Sequence, residues 1–304
     1  MAVTSEFGIG EQIEELAERR PFLSVCLDLI RRQPLGAAGA LIVLIMIIAA
    51  VLADFIAPYD PVVNQYDRIH LAPSLANLLG TDQFGRDILS RIIYGARTAL
   101  FVGFTCAFIG ATSGLILGVA SAYFGGYFDL IFQRVMDVFM SFPLIILALA
   151  MVAIFGGKIE NDVILVIVAI TIPFVPRCAR VVRSNALAIR EIPYVDAARA
   201  LGFSNTRIIL RHMIPNVMAP YLIMLTSFLG QAILLEASLS YLGMGVQEPT
   251  PAWGLMLQGG AEEFAESAPW VAIWPGLAIT LAVFGFNLFG DGVRDTLDPK
   301  LRSR

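Results

Sequence analysis

The sequence has few charged residues for its length. Asp, Glu, Lys and Arg make up 15% of the 304 residues, and hydrophobic residues make up 57%. A soluble domain carries about 25% charged residues to cover its surface. Much of the surface of this protein must therefore face something other than water, which excludes an ordinary soluble domain.

Residues that carry out most enzyme chemistry are also scarce. The two histidines, His70 and His212, are far apart in the sequence and predict no metal cluster. A phosphate-binding P-loop requires Gly-Lys-Ser/Thr, and neither Lys158 nor Lys300 stands in that context. No Gly-x-Ser-x-Gly motif is present. We therefore expect no catalytic residue, no metal and no cofactor on this chain, and no hydrolysis of ATP by the chain alone.

Long uncharged stretches are what the sequence does contain. About 20 apolar residues cross the hydrocarbon core of a bilayer as a helix, and most of these stretches reach that length. The shortest of them, 163–176, is followed by Arg177 and Arg180, whose side chains can extend to the headgroups. An all-α polytopic membrane protein with six spans is predicted, from 36–53, 98–128, 138–157, 163–176, 213–235 and 267–290.

The distribution of basic residues predicts the orientation. With the N-terminus inside, sixteen of the 21 Lys and Arg residues fall in inside segments and five in outside segments. Both termini are therefore expected in the cytoplasm. The acidic stretch Glu11–Arg20 and the length of the first span argue against a cleavable signal. Cys26, Cys106 and Cys178 fall in cytoplasmic or membrane segments, so we expect small core residues rather than disulfides.

The predicted spans divide the chain into five parts. The outer loop over residues 58–97 is long for a simple connection, which indicates an outer cap or a docking surface. The elbow Phe22–Arg32 fits an interfacial helix or an ordinary cytosolic lead-in. The parts are a cytoplasmic tail with this elbow (1–35), the first span (36–57), the periplasmic loop (58–97), a five-helix core (98–290) that includes an inner loop (183–216), and a cytoplasmic tail (291–304).

Small residues and prolines predict how the spans pack. Gly110, Gly114 and Gly118 recur every four residues in the second span, so they share one helix face on which another helix can approach closely. Pro173 and Pro176 are expected to kink the fourth span.

The inner loop predicts two short helices that project into the cytoplasm. Pro193 suits a helix start, Gly202 suits a helix end, and Ser204 can cap a second helix over 205–212. The small side chains of its alanines would let a partner protein approach the helix closely. Its charged residues would set the register of the helix in a groove of that partner. The alanines are Ala197, Ala198 and Ala200, and the charged residues are Asp196, Arg199 and Arg207.

This loop resembles the EAA loop of ABC-importer permeases, whose pattern is E-A-A-x3-G-x9-I-x-L-P. Asp196-Ala197-Ala198, Gly202 and His212-x-Ile214-Pro215 match its spacing, with Asp for Glu, His for Ile and Ile for Leu as departures. In that family the loop is the coupling helix that binds in a cleft of the cytosolic ATPase. The resemblance therefore implies ATPase coupling for Asp196, Ala197, Ala198, Arg199, Gly202, Ser204 and Arg207.

Further blocks resemble the C-type permease of dipeptide, oligopeptide and nickel importers, in the order of that family. They are Leu79–Gly95, Ser141-Phe142-Pro143, Leu235–Gly243, Pro251-Ala252-Trp253-Gly254 and Asn287–Pro299. The resemblance implies a type I importer permease in a bacterial inner membrane. It also implies a sibling permease, two cytosolic ATPases that bind ATP and Mg²⁺, a substrate-binding protein, lipid contact, and no nucleic acid. Nickel, glutathione or oligosaccharide are alternative substrates to peptides, and an ATPase-independent channel or scaffold is the alternative of another class.

Several residues allow two interpretations. Glu236 either pairs structurally near the outer end of the fifth span or faces the translocation path. Arg86 and Asp87 either brace the outer loop or dock a binding protein. Trp253 is either an interfacial anchor or a contact for the binding protein. Arg134 and Asp137, at i and i+3, are expected to bridge on one helix face.

Overall fold

The computed structural model describes residues 33–261 and 266–297. The predicted elbow Phe22–Arg32, Cys26 within it, and the second half of the predicted C-terminal tail (298–304) lie outside these residues. Eleven α-helices occur in the described part of the chain, and no β-strand does. They are α1 Pro34–Val51, α2 Ala53–Ile56, α3 Ile88–Phe124, α4 Gly126–Met140, α5 Leu144–Phe155, α6 Asp162–Arg190, α7 Pro193–Ala200, α8 Asn205–Ile208, α9 Met218–Tyr241, α10 Trp253–Ala261 and α11 Trp270–Leu297.

Five of these helices are long and apolar enough to cross a membrane: α1, α3, α6, α11, and the helical stretch 205–241 that ends in α9. The pair α4 and α5 passes the same test together but is bent by 96° between its two helices. The all-α polytopic prediction is confirmed, and six spans result when the bent pair counts as one. Within the predicted span over 138–157 the helix is interrupted at residues 141–143, because Pro143 disfavours helical geometry at Phe142.

The remaining helix bounds also differ from the predicted ones. α3 begins at Ile88 rather than at residue 98, because the Asp87 carboxylate accepts the Ser90 N–H and starts the helix early. α6 continues to Arg190 although Pro173 and Pro176 lie inside it.

The contact between α3 and α6 forms the centre of the bundle. A Cβ atom on Gly114 would lie 2.5 Å from the Cys178 Cβ, and one on Gly118 would lie 2.5 Å from the carbonyl oxygen of Ala179. The two backbones therefore approach each other as the glycine spacing predicts. Cys178 and Cys106 are both fully buried in this contact, where the Cys106 thiol donates to the Ile167 carbonyl of α6 at 3.6 Å, which confirms the expected role of these two as small core residues.

The first and last described helices pack against each other. A Cβ atom on Gly39 of α1 would lie 2.7 Å from the carbonyl oxygen of Gly285 in α11. α11 in turn packs on α9, where a Cβ atom on Gly230 would lie 2.9 Å from the Asn287 side chain. These contacts place α1, α9 and α11 side by side around the α3–α6 centre.

Candidate functional site

The longest helix separates two ends of the protein, and a candidate site lies at each. α3 has 37 residues, which makes it about 55 Å long at 1.5 Å per residue. At its last turn the Tyr123 hydroxyl donates a hydrogen bond of 2.7 Å to the Asn205 side chain in α8. We call this the loop end, because residues 191–217 lie there. The end where Asp87 caps α3 is called the opposite end.

A tight turn closes α7 at the loop end. The Phe203 N–H donates to the Ala198 carbonyl at 3.1 Å, and the Gly202 N–H donates to the Arg199 carbonyl at 2.9 Å. Gly202 has φ +75°, a left-handed conformation that glycine adopts without a Cβ clash. These two bonds form a Schellman motif, which confirms the predicted helix end at Gly202.

Helices α7 and α8 form a helical hairpin around this turn. Its second helix, α8, begins as predicted but ends earlier. Ser204 accepts a hydrogen bond of 3.4 Å from the Arg207 N–H and caps α8. The α-helical geometry stops at Ile208, and a wider turn over residues 209–213 follows. The predicted helix over 205–212 was therefore too long. Pro215 lacks the N–H that would bond one turn back, so the regular hydrogen-bond ladder is interrupted before it.

Helix α7 has a buried side and an exposed side. Val195 and Ala198 are buried in the core, whereas Ala197 and Ala200 are exposed and Leu201 is 74% exposed. The prediction that Ala198 shares an exposed face with the other two alanines was wrong. At 3.6 residues per turn, Ala198 lies on the same side as Val195, while Ala197, Ala200 and Leu201 lie on the other.

The charged residues of the hairpin hold it together and leave side chains exposed. Arg199 Nη1 lies 3.0 Å from Asp196 Oδ1, and the Arg199 guanidinium lies 5.3 Å from the centre of the Tyr123 ring at the end of α3. Arg207 lies over the Phe203 ring at 4.0 Å. These contacts stabilise one shape of the hairpin. They leave Ala197, Ala200 and Leu201 exposed as a small apolar patch with charged neighbours.

Short connections attach the hairpin to the bundle. Only residues 191 and 192 separate α6 from α7. Arg190, the last residue of α6, donates a hydrogen bond of 2.8 Å from Nη1 to the Ala122 carbonyl in α3. The Tyr194 hydroxyl donates to the His212 carbonyl at 3.3 Å and ties the start of α7 to the end of the loop. A force on the hairpin would therefore reach both central helices directly.

Two arginines and two carboxylates form an ion cluster at the opposite end. Arg86 Nε lies 2.7 Å from Asp82 Oδ2, and Arg86 Nη1 lies 2.6 Å from Glu248 Oε2. Arg91 is fully buried; its Nη2 lies 3.4 Å from Glu248 Oε1, and its Nη1 donates to the Pro61 carbonyl at 2.9 Å. The cluster joins the loop before α3 to the loop after α9.

Glu248 and Arg86 of this cluster favour their charged states. Burial opposes ionisation of Glu248, but hydrogen bonds from Arg86 and the charges of Arg91 and Arg86 outweigh it, so the pKa of Glu248 lies below its usual value. Burial likewise opposes the charge on Arg86, yet Glu248 and Asp82 hold its pKa above the usual value.

The residues suggested for docking a binding protein are internal. Arg86, Asp87 and Trp253 are only 3%, 4% and 4% exposed. Asp87 caps α3 and accepts a hydrogen bond of 2.9 Å from the Asn77 amide. Trp253 Nε1 donates to the Ile92 carbonyl at 3.0 Å. The structure therefore supports bracing for Arg86 and Asp87. The Trp253 ring is packed against α3, which gives no support to either the anchor or the docking interpretation.

Glu236 is buried in the half of α9 that is nearer to the opposite end. It is 1% exposed, and its Oε1 accepts a hydrogen bond of 2.8 Å from the Ser240 hydroxyl one turn later. Ser240 in turn accepts the Val246 N–H at 3.1 Å. This chain of bonds fixes the loop after α9, which supports the structural interpretation of Glu236. Contact with a translocation path has no support here, because the carboxylate does not reach the surface.

Sequence reasoning missed Asp82, Arg91 and Glu248 as members of one cluster. Asp82 and Arg91 stand inside the block resembling the permease family, but Glu248 is 162 residues from Arg86. No local spacing connects residues that far apart. Both arginines stand in the predicted periplasmic loop (58–97), so nothing in the sequence marked them as buried residues that require carboxylate partners.

A bundle of helices long and apolar enough to cross a membrane, with a helical hairpin at one end, is the architecture of a polytopic membrane protein. The family of inner membrane components of binding-protein-dependent transport systems matches residues 114–303, and the chain belongs to this family. The N-terminal membrane domain of oligopeptide transport permease C matches residues 28–73, which places the chain among permeases of that type.

Curated relatives and solved structures agree with this assignment. A putative peptide transport system permease protein of Brucella suis biovar 1 (strain 1330) is 44% identical over 87% of both chains. The glutathione transport system permease protein GsiD of Escherichia coli O6:K15:H31 (strain 536 / UPEC) is 42% identical over 90% of this chain and 88% of that protein. An inward-facing structure of the MetNI methionine ABC transporter covers 69% of this chain and 98% of its own, with a TM-score of 0.55 at 20% identity, and shares the fold.

Proposed function

We propose that this permease subunit imports peptides with energy supplied by cytosolic ATPases, to which it couples through residues 191–217. The observation that carries the proposal is the hairpin of α7 and α8. Its Schellman turn holds Leu201, Ala197 and Ala200 outward, and two residues connect it to α6. A rigid helix with a low apolar face suits the cleft of a partner protein.

The remaining parts of the machine belong to other chains in this proposal. A sibling permease completes the path, a binding protein delivers substrate at the opposite end, and two ATPases bind ATP and Mg²⁺ at the loop end. This chain contributes no catalytic residue and no cofactor site. The ATPase pair has two states, and the hairpin must make different contacts in each for ATP binding to shift the membrane helices. The loop end and both termini then lie in the cytoplasm of a bacterial inner membrane.

The substrate class comes from the relatives. One is named for peptide transport and another for glutathione transport, and glutathione is itself a short peptide. Nickel complexes and oligosaccharides are the alternative substrates. A channel or scaffold without ATPases is the alternative mechanism, and it gives no role to the exposed hairpin face.

The test uses two glycines with the same backbone geometry. Gly202 and Gly157 have φ +75° and +77°, and a Cβ atom added to either residue would meet no other atom within 4 Å. Gly157 lies in the turn between α5 and α6 at the opposite end. Gly202→Asp and Gly157→Asp therefore introduce equal strain and equal charge, but only Gly202→Asp places them where we expect the ATPase.

The complex would be co-expressed with the neighbouring genes, purified in nanodiscs and assayed for hydrolysis stimulated by the binding protein. We expect ATPases to co-purify with the wild type and with Gly157→Asp. We expect at least about a tenfold loss of stimulated hydrolysis in Gly202→Asp, equivalent to about 1.4 kcal/mol of activation free energy. Absence of ATPases from the wild-type preparation, or equal activity of the two variants, would contradict the coupling role.

A further inference from the structure

The break between α4 and α5 leaves a non-helical segment at membrane depth. α5 has 12 residues and is therefore about 18 Å long, shorter than the hydrocarbon layer of about 30 Å. It runs from the break to the turn that begins at Gly156, and α6 starts its own span after this turn, at Asp162. Residues Ser141, Phe142 and Pro143 thus lie inside the layer, and all three are exposed on the surface of this chain.

Contact between exposed non-helical backbone of this kind and lipid is unfavourable. The first turn of α5 receives no side-chain cap among the described residues, so its amide groups need partners from outside the segment. Non-helical backbone at membrane depth occurs where protein buries it or where it lines a water-filled cavity. Because nothing in the described chain covers residues 141–143, lipid contact is the least favourable of the possible surroundings.

Charged side chains lead to the break from the loop end. Arg134 is 79% exposed and lies 3.8 Å from Asp137, which also pairs with Arg180; the last two side chains are each 45% exposed. Asp137 stands one helical turn before Ser141. Exposed ion pairs require water or a polar partner, since charges at membrane depth are costly in lipid. Water or a polar partner must therefore reach α4 to within one turn of the break.

An apolar cleft begins on the other side of the break. It has a volume of about 360 Å³ and is lined by Ile145 of α5 and by residues of α9, α10 and α11. Ser238 and Tyr241 are the polar residues among those that line it. The exposed surface thus runs from charged α4, through the break, into an apolar cleft that extends towards the opposite end.

We propose that residues 134–145 and this cleft line the aqueous path through which the substrate crosses the membrane. The inference rests on the proposed function for the nature of the substrate, a peptide. The backbone of a peptide would contact the polar groups at the break, and its apolar side chains would enter the cleft beside Leu234 and Tyr241. The sibling permease would close the path on the other side without covering residues 141–143.

The experiment measures water access with an introduced thiol. Phe142 and Leu44 are each 51% exposed, and Leu44 lies in the middle of α1 with apolar neighbours. Phe142→Cys and Leu44→Cys would be made in a Cys26→Ala background, in which Cys106 and Cys178 remain buried. Ser141→Cys serves as a second, smaller change at the break. Each complex in nanodiscs would react with a charged, water-soluble methanethiosulfonate reagent.

We expect Phe142→Cys and Ser141→Cys to react at least about tenfold faster than Leu44→Cys, because only a hydrated thiol forms the reactive thiolate. Rates as slow as that of Leu44→Cys at both break positions would overturn the proposal, because lipid or dry protein would then cover the break. The ATPases that co-purify with each variant report separately on the proposed function. Fast labelling without ATPases would contradict coupling and still support a water-lined break.

Discussion

Glu248 is the residue on which the opposite-end cluster depends. Its carboxylate contacts both Arg86 and Arg91, and Arg91 has no exposed surface. Removing one member of a buried ion pair leaves an uncompensated charge, which costs about 3–5 kcal/mol when the pair is fully desolvated. The Glu248 side chain is 35% exposed, so solvent reduces that cost.

Glu248→Gln should therefore lower the stability of the purified protein by about 1–3 kcal/mol at neutral pH. The pKa of Glu248 is depressed in the folded state. Its contribution to stability is thus present above the unfolded pKa of about 4.3 and is lost as the pH falls through the lower folded pKa. The melting temperature in detergent, measured from pH 7 to pH 3, should show the difference between wild type and variant shrinking in acid.

Glu160→Gln is the matched control, because Glu160 is an exposed carboxylate in the turn before α6. It should change the melting temperature little at any pH in this range. Equal melting curves for Glu248→Gln and Glu160→Gln at neutral pH would show that the ion cluster does not stabilise the fold.

At the scale of helices, the α3–α6 contact depends on the absence of side chains. A Cβ atom on Gly114 would lie 2.5 Å from the Cys178 Cβ and 2.9 Å from the Ala179 backbone nitrogen. These positions leave no room for a side chain unless the helices separate. Because α6 leads directly into the hairpin of α7 and α8, separation would also move residues 191–217.

Gly114→Leu should separate the two helices and lower the yield of folded, monodisperse protein, since overpacking costs about 1–3 kcal/mol or more. Gly276→Leu is the control, because the nearest atom to its Cβ position is Leu257 Cδ1 at 3.9 Å. Size-exclusion profiles and thermal aggregation in detergent would be compared. Similar behaviour of the two variants would mean that the close approach of α3 and α6 is not required.

Over the whole molecule, the orientation in the membrane is a prediction from basic residues alone. Lys158 lies in the turn at the opposite end and Arg207 in the hairpin at the loop end, and both are exposed. Lys158→Cys should react with an impermeant thiol reagent in spheroplasts, and Arg207→Cys should react only after lysis. The Cys26→Ala background removes one native thiol, and the reversed pattern of labelling would invert the proposed topology.

Local patterns predicted much of this protein because the information lies within short segments. A helix in lipid bonds its own backbone, so each apolar stretch indicates a span without reference to the rest of the chain. Pro193, Gly202 and Ser204 predicted the hairpin for the same reason, since starts, turns and caps are made by neighbouring residues. The glycine stripe of α3 predicted a close helix contact, although it did not name α6 as the partner.

Contacts between distant segments were decided only by the tertiary structure. The pairing of Arg86 with Glu248 joins residues 162 positions apart, and no periodicity encodes such a contact. The burial of Ala198 likewise depends on how the other helices pack around it. The sequence thus determined which segments are helical and where they turn, because those free energies are local. Folding decided which surfaces are buried, because burial depends on the other helices.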